Sequence, residues 1–129
     1  MEKKYLDEFK IAEEFLQISK NSLDLSLRTS ANRLYFAFEK AVISYLLFNQ
    51  KKVPKNHQKI WELCAEVLGE NYYNHLRNLY DLRMQADYGN VSIFLEFNKK
   101  IVEKNIFLSE KLIQEIKERL GNTKNVFIF

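Results

Sequence analysis

The sequence contains few of the residues that break or cross-link a chain. Its 129 residues include 1 Pro, 3 Gly and 1 Cys. So few turn-forming residues argue against a many-stranded sheet and favour long helices joined by short loops. The single cysteine, Cys64, excludes an intramolecular disulfide and a cysteine-rich metal site. Because Cys64 follows Ile60 at helical spacing, we expect it to be a small buried apolar side chain.

Long apolar runs are also absent. The most apolar stretch is interrupted by Ser44 and is far shorter than a membrane span. Charged residues begin at once in MEKKYLDEFK, which does not resemble a secretory signal. The composition, 47% hydrophobic and 29% charged, is typical of a folded globular domain. We therefore expect one cytoplasmic domain with no membrane partner. A net charge of +3, with both signs interspersed, permits a nucleic-acid partner without favouring one.

Apolar side chains recur at steps of three and four, the spacing of amphipathic helices. The first stripe runs through Tyr5, Phe9, Ala12, Leu16, Ser19 and Leu23. The second runs through Ala31, Leu34, Tyr35, Phe38, Ala41, Val42 and Tyr45. The second segment is apolar on most of its circumference, which predicts that it is the central helix. The sequence therefore predicts an all-α, up-and-down bundle of about five helices over residues 1–121.

Capping residues predict where these helices begin and end. The predicted N-caps are Thr29 and Ser30 for the second helix and Asn56 for the third. Glycines are predicted to end the third helix at Gly69, the fourth at Gly89 and the fifth at Gly121, the fifth beginning near Ser92. Residues 122–129 form a tail that ends in VFIF. Four exposed hydrophobic side chains would favour aggregation, so we predict that the tail docks on the bundle or on a second subunit.

Two segments together resemble the HEPN domain family. The segment SANRLYFAFEKAV (30–42) is similar to the A-x-R-x-Y-Y-A-hydrophobic signature of that family. The segment LRMQADYG (82–89) resembles the L-R-x-x-A-D-Y-G ending of the fourth helix in one prokaryotic branch. Between them, PKNHQKIWEL (54–63) matches the place where many members carry a histidine that opens a short third helix. The resemblance covers roughly residues 5–120.

The resemblance implies a four- to five-helix bundle that dimerises about a two-fold axis, with both fourth-helix motifs lining a shared cleft. Many members are metal-independent RNases in which an arginine is followed four to six residues later by histidine. Several are toxins encoded beside a small nucleotidyltransferase antitoxin, and in some pairs a tyrosine near the motif accepts AMP. We assign to the cleft or to phosphate binding Asn32, Arg33, Tyr35, Arg83 and Tyr88. Tyr88 is also the candidate for modification, and neither a metal ion nor a cofactor is expected.

The stretch RMQADYG (83–89) departs from the nuclease motif at its base. Metal-free RNA cleavage needs a group that takes the 2′-hydroxyl proton and a cation that stabilises the transition state. Arg83 suits the second task, because a guanidinium can hold two phosphate oxygens at once. Four to six residues beyond it lie Asp87, Tyr88 and Gly89, and no histidine. If the chain is catalytic, we expect Arg83 and Asp87 to be its catalytic residues.

The charged residues of these motifs also have ordinary interpretations. Arg83 and Asp87 can form an i, i+4 ion pair worth a few tenths of a kcal/mol. We expect His57 and His75 to be surface or capping residues. Arg33 lies beside the apolar stripe of the central helix, so its charge needs a partner, for which Asp87 is a candidate, or a path to solvent.

We predict a homodimer that binds a nucleotide or an RNA phosphate and is the partner of a small nucleotidyltransferase in a toxin–antitoxin-type pair. One alternative is a metal-independent RNase toxin in which Asp87, His57 or a histidine of the second subunit replaces the missing base. Another alternative is a non-catalytic dimerisation module with a vestigial cleft.

Overall fold

The computed structural model describes residues 4–89 and 95–126, with the side chains of 122–126 excepted. It contains five helices in this order: α1 (Lys4–Ser22), α2 (Leu27–Phe48), α3 (His57–Val67), α4 (Glu70–Tyr88) and α5 (Lys99–Val126). The predicted all-α bundle of about five helices is confirmed. Because α2 packs against each of the other four helices, it is the central helix of the bundle. Among the described residues, no helix combines the length and apolarity that a membrane crossing requires.

The apolar stripe of α2 supplies much of the core, as its composition predicted. Its buried apolar residues are Ala31, Leu34, Tyr35, Ala37, Phe38, Ala41, Val42 and Leu46. A reciprocal pair of hydrogen bonds joins α2 to α1, because each hydroxyl of Ser19 and Ser30 donates to the other residue's carbonyl oxygen at 2.8 Å. Both serines are fully buried, so these bonds satisfy polar groups that would otherwise destabilise the interface. Cys64 is buried as expected, and burial raises the pKa of its thiol to about 12.

The N-cap predicted for α3 is correct, and the one predicted for α2 is not. The N-cap of α2 is Ser26, whose hydroxyl accepts from the backbone N–H of Thr29 at 3.2 Å. The prediction of Thr29 and Ser30 as caps is therefore wrong, because Ser30 lies inside the helix and bonds to α1. Asn56 is confirmed as the N-cap of α3, accepting from the backbone N–H of Lys59 at 3.2 Å.

The last helix differs from the prediction at both ends. Residues 95–97 are not helical, and Asn98 begins α5 by accepting from the backbone N–H of Ile101 at 2.9 Å. Ser92, where the helix was expected to start, lies outside the described residues. The helix continues through Gly121 to Val126, so the predicted end is wrong. Docking of the 122–129 tail stays a prediction, because its side chains lie outside the described residues.

Candidate functional site

The two sequence motifs meet where the last turns of α4 lie against α2. Arg83 donates from Nε to Oδ2 of Asp87 at 3.2 Å. Asn32 of α2 donates from Nδ2 to the same carboxylate oxygen at 2.8 Å. The side chains of Arg83 and Asp87 are only 15% and 25% exposed. A carboxylate that accepts two hydrogen bonds, one of them from a cation, holds both donors in fixed positions.

The Arg83 guanidinium packs against three aromatic rings. Its central carbon lies 5.7 Å from the ring centroid of Tyr35, 4.8 Å from that of Phe36 and 5.6 Å from that of Tyr80. These distances suit cation–π attraction, which adds to the ion pair in holding the group. In the described part of the chain, the bond from Nε to Asp87 is the only hydrogen bond that Arg83 makes. The terminal nitrogens can therefore bind an oxyanion.

A second guanidinium lies on the other residue of the α2 motif. Arg33 donates from Nε to Oδ1 of Asn32 at 2.9 Å, and its central carbon lies 4.8 Å from the ring centroid of Phe15 and 5.6 Å from that of Phe36. The suggested direct pair between Arg33 and Asp87 is wrong, because the amide of Asn32 stands between them. Arg33 and Arg83 nevertheless contact the same ring, that of Phe36, so the structure brings both arginines to one place.

Tyr35, which was predicted to line the cleft, lies beneath the Arg83 guanidinium rather than at the surface. Its side chain is fully buried; its hydroxyl donates to Glu39 and accepts from Nε1 of Trp61 at 3.1 Å. Burial, together with the neighbouring Glu39 carboxylate, raises the pKa of Tyr35 well above its usual range, so the phenol stays neutral. Its ring supports the Arg83 guanidinium, and its hydroxyl is occupied by Glu39 and Trp61.

The sequence analysis did not predict a carboxylate–histidine pair that lies beside Tyr35. Nδ1 of His57, the first residue of α3, lies 2.7 Å from Oε2 of Glu39 on α2. The Glu39 side chain is 8% exposed and that of His57 is 40% exposed. His57 is therefore more than the surface or capping residue that we expected. The i, i+4 spacing of Tyr35 and Glu39 was visible in the sequence, but the contact between α2 and α3 was not.

The other histidine belongs to the core. His75 on α4 is 5% exposed, its Nε2 lies 2.8 Å from Oγ of Ser109 on α5, and its ring centroid lies 4.7 Å from that of Phe38. Desolvation by burial lowers the pKa of His75 to about 4, so the ring is neutral at pH 7. The expectation of a surface or capping role is wrong, because the face of α4 that carries His75 packs inward.

The end of α4 is closed by Gly89 and by an arginine that sequence reasoning overlooked. Gly89 adopts the left-handed conformation, φ +68°, which ends the helix as predicted. Arg28 at the start of α2 donates from Nη1 to the carbonyl oxygen of Ala86 at 2.6 Å. A cation at this position also complements the negative end of the helix dipole. Tyr88, the modification candidate, is 64% exposed.

We expect Arg28→Ala to lower the free energy of unfolding by about 1 kcal/mol, because a carbonyl at the end of α4 loses its charged donor. Urea denaturation followed by circular dichroism measures this change. Arg77→Ala, which removes an exposed arginine from the middle of α4, is the matched control and should change stability by less than about 0.5 kcal/mol. Equal losses in the two variants would contradict the capping role.

Comparison with known proteins agrees with the arrangement of these elements. A family model described as HEPN domain matches residues 5–120, a range that includes Arg33, His57 and Arg83. A search of curated proteins found no match. Among the described residues, no group of three or more His, Cys, Asp or Glu side chains could hold a metal ion.

Proposed function

Because this chain belongs to the HEPN domain family, we propose that it is a homodimer whose Arg83 site binds the phosphate of a nucleotide or an RNA. We further propose that its partner is a small nucleotidyltransferase, in a toxin–antitoxin-type pair. The family match supports the fold of the chain; the phosphate ligand is inferred from the chemistry of the site, and the dimer and the transferase partner from the family resemblance.

The observation that carries the proposal is the pair of guanidinium groups held around Phe36. Two guanidinium groups, those of Arg33 and Arg83, lie within 5.6 Å and 4.8 Å of its ring centroid. Within the hydrogen-bonded network of described residues the two guanidinium groups share one carboxylate, that of Asp87, while the Glu39 carboxylate bonds to Tyr35 and His57. Half-buried guanidinium groups held by aromatic rings and one carboxylate are already oriented, which reduces the entropy lost when an oxyanion binds.

The end of α4 is accessible to a second subunit or to a transferase. Asp87 and Tyr88 lie on the last turn of α4, and Tyr88 is 64% exposed, so a second subunit or a transferase can reach them. In the modification that we propose, the Tyr88 oxygen bonds to the α-phosphorus of ATP, pyrophosphate leaves, and the phenolic proton passes to solvent. An AMP group on Tyr88 would add negative charge at the end of α4, five residues beyond Arg83.

Phosphate binding is tested by the fluorescence anisotropy of labelled single-stranded RNA, with ATP and AMP as competitors. We expect Arg83→Ala to weaken RNA binding at least tenfold, about 1.4 kcal/mol, because it removes the oriented guanidinium. Arg77→Ala lowers the net charge equally on the same helix but lies away from Phe36, and should change affinity less than about twofold. Equal weakening in both variants would mean that only the overall charge attracts RNA, and would contradict a site at Arg83.

A further inference from the structure

We propose that the segment VFIF (126–129) of one subunit binds an apolar groove between α1 and α5 of a second copy, and that the two copies exchange this segment reciprocally. This inference rests on the homodimer of the proposed function and names the surface that joins its subunits. It does not depend on the phosphate ligand, because the groove and the Arg83 site lie at different ends of the bundle.

The groove lies where the first turns of α1 face the last turns of α5, and its cavity has a volume of about 610 Å³. The described residues that line it are Tyr5, Leu6, Asp7, Phe9, Lys10, Glu13, Lys117, Leu120 and Gly121. Two of the charged side chains are acidic and two are basic, so this lining carries no net charge that would attract an anionic ligand. An uncharged segment with apolar side chains fits such a lining better than a nucleic acid does.

The apolar part of the groove is exposed and already positioned. Leu6 is 37% exposed on α1, and the ring of Tyr5 lies edge-on to that of Phe48 with 5.1 Å between centroids. Phe9 and Leu120, each 6% exposed, complete this part of the lining. An apolar segment that binds here removes Leu6 from water and orders few side chains, which keeps the entropic cost of binding low.

The segment VFIF supplies four consecutive hydrophobic side chains without a charge. Because α5 extends to Val126, five residues beyond Gly121 of the groove, VFIF starts at the end of the bundle that carries the groove. Four adjacent hydrophobic side chains in water form a patch that favours association. A second copy of this chain therefore brings an apolar segment that matches the groove.

The two helices that form the groove run antiparallel. Lys20 of α1 pairs with Glu110 of α5 at 2.7 Å, and Lys117 of α5 pairs with Glu13 of α1 at 3.3 Å. Both helices rise equally per residue, so the end of α5 is level with the start of α1. The chain that continues from α5 is therefore directed away from the groove of its own subunit.

The segment is too short to lie in the groove of its own chain. Val126 lies about 9 Å beyond Leu120 along the helix, and residues 127–129 span at most about 10 Å when fully extended. Even a complete reversal of the chain would bring only Phe129 back to the level of Leu120. In the groove of a second copy, all four side chains can lie along the lining.

The groove and the segment lie at the same end of the subunit, so a two-fold axis at that end lets two copies exchange segments reciprocally. Such a contact uses the same surfaces on both copies and closes on itself, which gives a dimer rather than a fibre. Exchange of an identical element between subunits is also a route to a dimer that requires no new fold.

This pairing leaves the Arg83 site open. Tyr72 donates to Glu115 at 2.7 Å and His75 lies 2.8 Å from Ser109, so α4 and α5 are antiparallel and α4 begins near the groove end of the bundle. Arg83 follows Tyr72 by about three turns, which places it about 16 Å towards the opposite end. A phosphate or a transferase can therefore reach Arg83 while the subunits exchange VFIF.

Sedimentation equilibrium of the 129-residue chain measures the assembly that VFIF forms. We expect the wild type to be dimeric and a variant with Phe127→Ser and Phe129→Ser to be monomeric at the same concentration. Leu6→Glu, which puts a carboxylate into the apolar lining, should weaken the dimer at least about tenfold. Ile18→Glu is the matched control and should keep the wild-type mass, since Ile18 lies on the same helix, is 39% exposed and does not line the groove.

A disulfide distinguishes exchange between copies from docking within one chain. In the double variant Leu6→Cys with Ile128→Cys, mild oxidation should give a covalent dimer on a non-reducing gel, whereas docking within one chain would give an internally bridged monomer. The native thiol of Cys64 is buried, so it does not compete. Ile18→Cys with Ile128→Cys, whose first thiol lies off the groove, should cross-link at least about tenfold more slowly.

The outcomes separate this inference from the proposed function. A dimer that both Leu6→Glu and the double serine variant leave intact, or an internally bridged monomer, would overturn the exchange of VFIF and leave the phosphate site in place. A wild type that is monomeric at every concentration would overturn the homodimer as well. The anisotropy test of Arg83→Ala measures phosphate binding in either case, so its failure would overturn the phosphate site without affecting the exchange.

Discussion

Replacing Phe38 by alanine is expected to lower the free energy of unfolding by about 3–5 kcal/mol, the range for removing a buried phenylalanine. Phe38 lies on the central helix α2 and is fully buried. Its ring is stacked on that of Tyr72 at 6.1 Å and meets the His75 ring edge-on at 4.7 Å. The substitution leaves a cavity between α2 and α4, and helices that still pack on other neighbours cannot close it fully. Urea denaturation followed by circular dichroism measures the loss.

The control is a phenylalanine outside the core. Phe107 on α5 is 73% exposed, so Phe107→Ala should change stability by less than about 0.5 kcal/mol. A domain of this size is stabilised by about 5–15 kcal/mol, so only the Phe38 change should consume a large part of the total. A cost below about 1 kcal/mol for Phe38→Ala would mean that α2 and α4 are not joined through this ring.

The fold was predictable where its cause is local. The apolar circumference of α2 is a property of one segment, and it identified the central helix without knowledge of its neighbours. Asn56 and Gly89 act within one turn of the backbone, so their capping roles were also visible. The cap of α2 was predicted at Thr29 and Ser30, but Ser26 is the cap, and Ser30 instead bonds to Ser19 of another helix. Helix ends that depend on tertiary contacts cannot be assigned from local chemistry alone.

In the candidate site, too, local contacts were predictable from the sequence and contacts between distant segments were not. The Arg83–Asp87 pair is an i, i+4 contact, so its spacing was readable before the structure. The bond from Asn32 to Asp87 joins residues 55 positions apart. Only the family resemblance had suggested that the two motifs carrying these residues belong to one site. The Glu39–His57 pair joins two helices and had no signal of its own. Buried polar residues near a motif are informative, because each must have a partner that the motif does not reveal.

The stability of the bundle is expected to fall by about 2.5 kcal/mol between pH 7 and pH 4.5 through His75 alone. Burial lowers the pKa of this histidine to about 4, from an ordinary value of 6.5 that applies in the unfolded chain. Between these values the unfolded state binds a proton that the folded state does not, so acid favours unfolding. The contribution is complete above pH 6.5, is lost as the pH falls towards 4, and changes no further below that value.

The measurement is the urea midpoint of the wild type and of His75→Gln at a series of pH values. Glutamine has no titrating group but can still hydrogen-bond to Ser109, so the difference between the two proteins isolates the contribution of His75. We expect His75→Gln to be less stable at pH 7, because its side chain does not fill the space beside Phe38, and to lose less stability on acidification. Parallel curves would contradict a buried neutral His75.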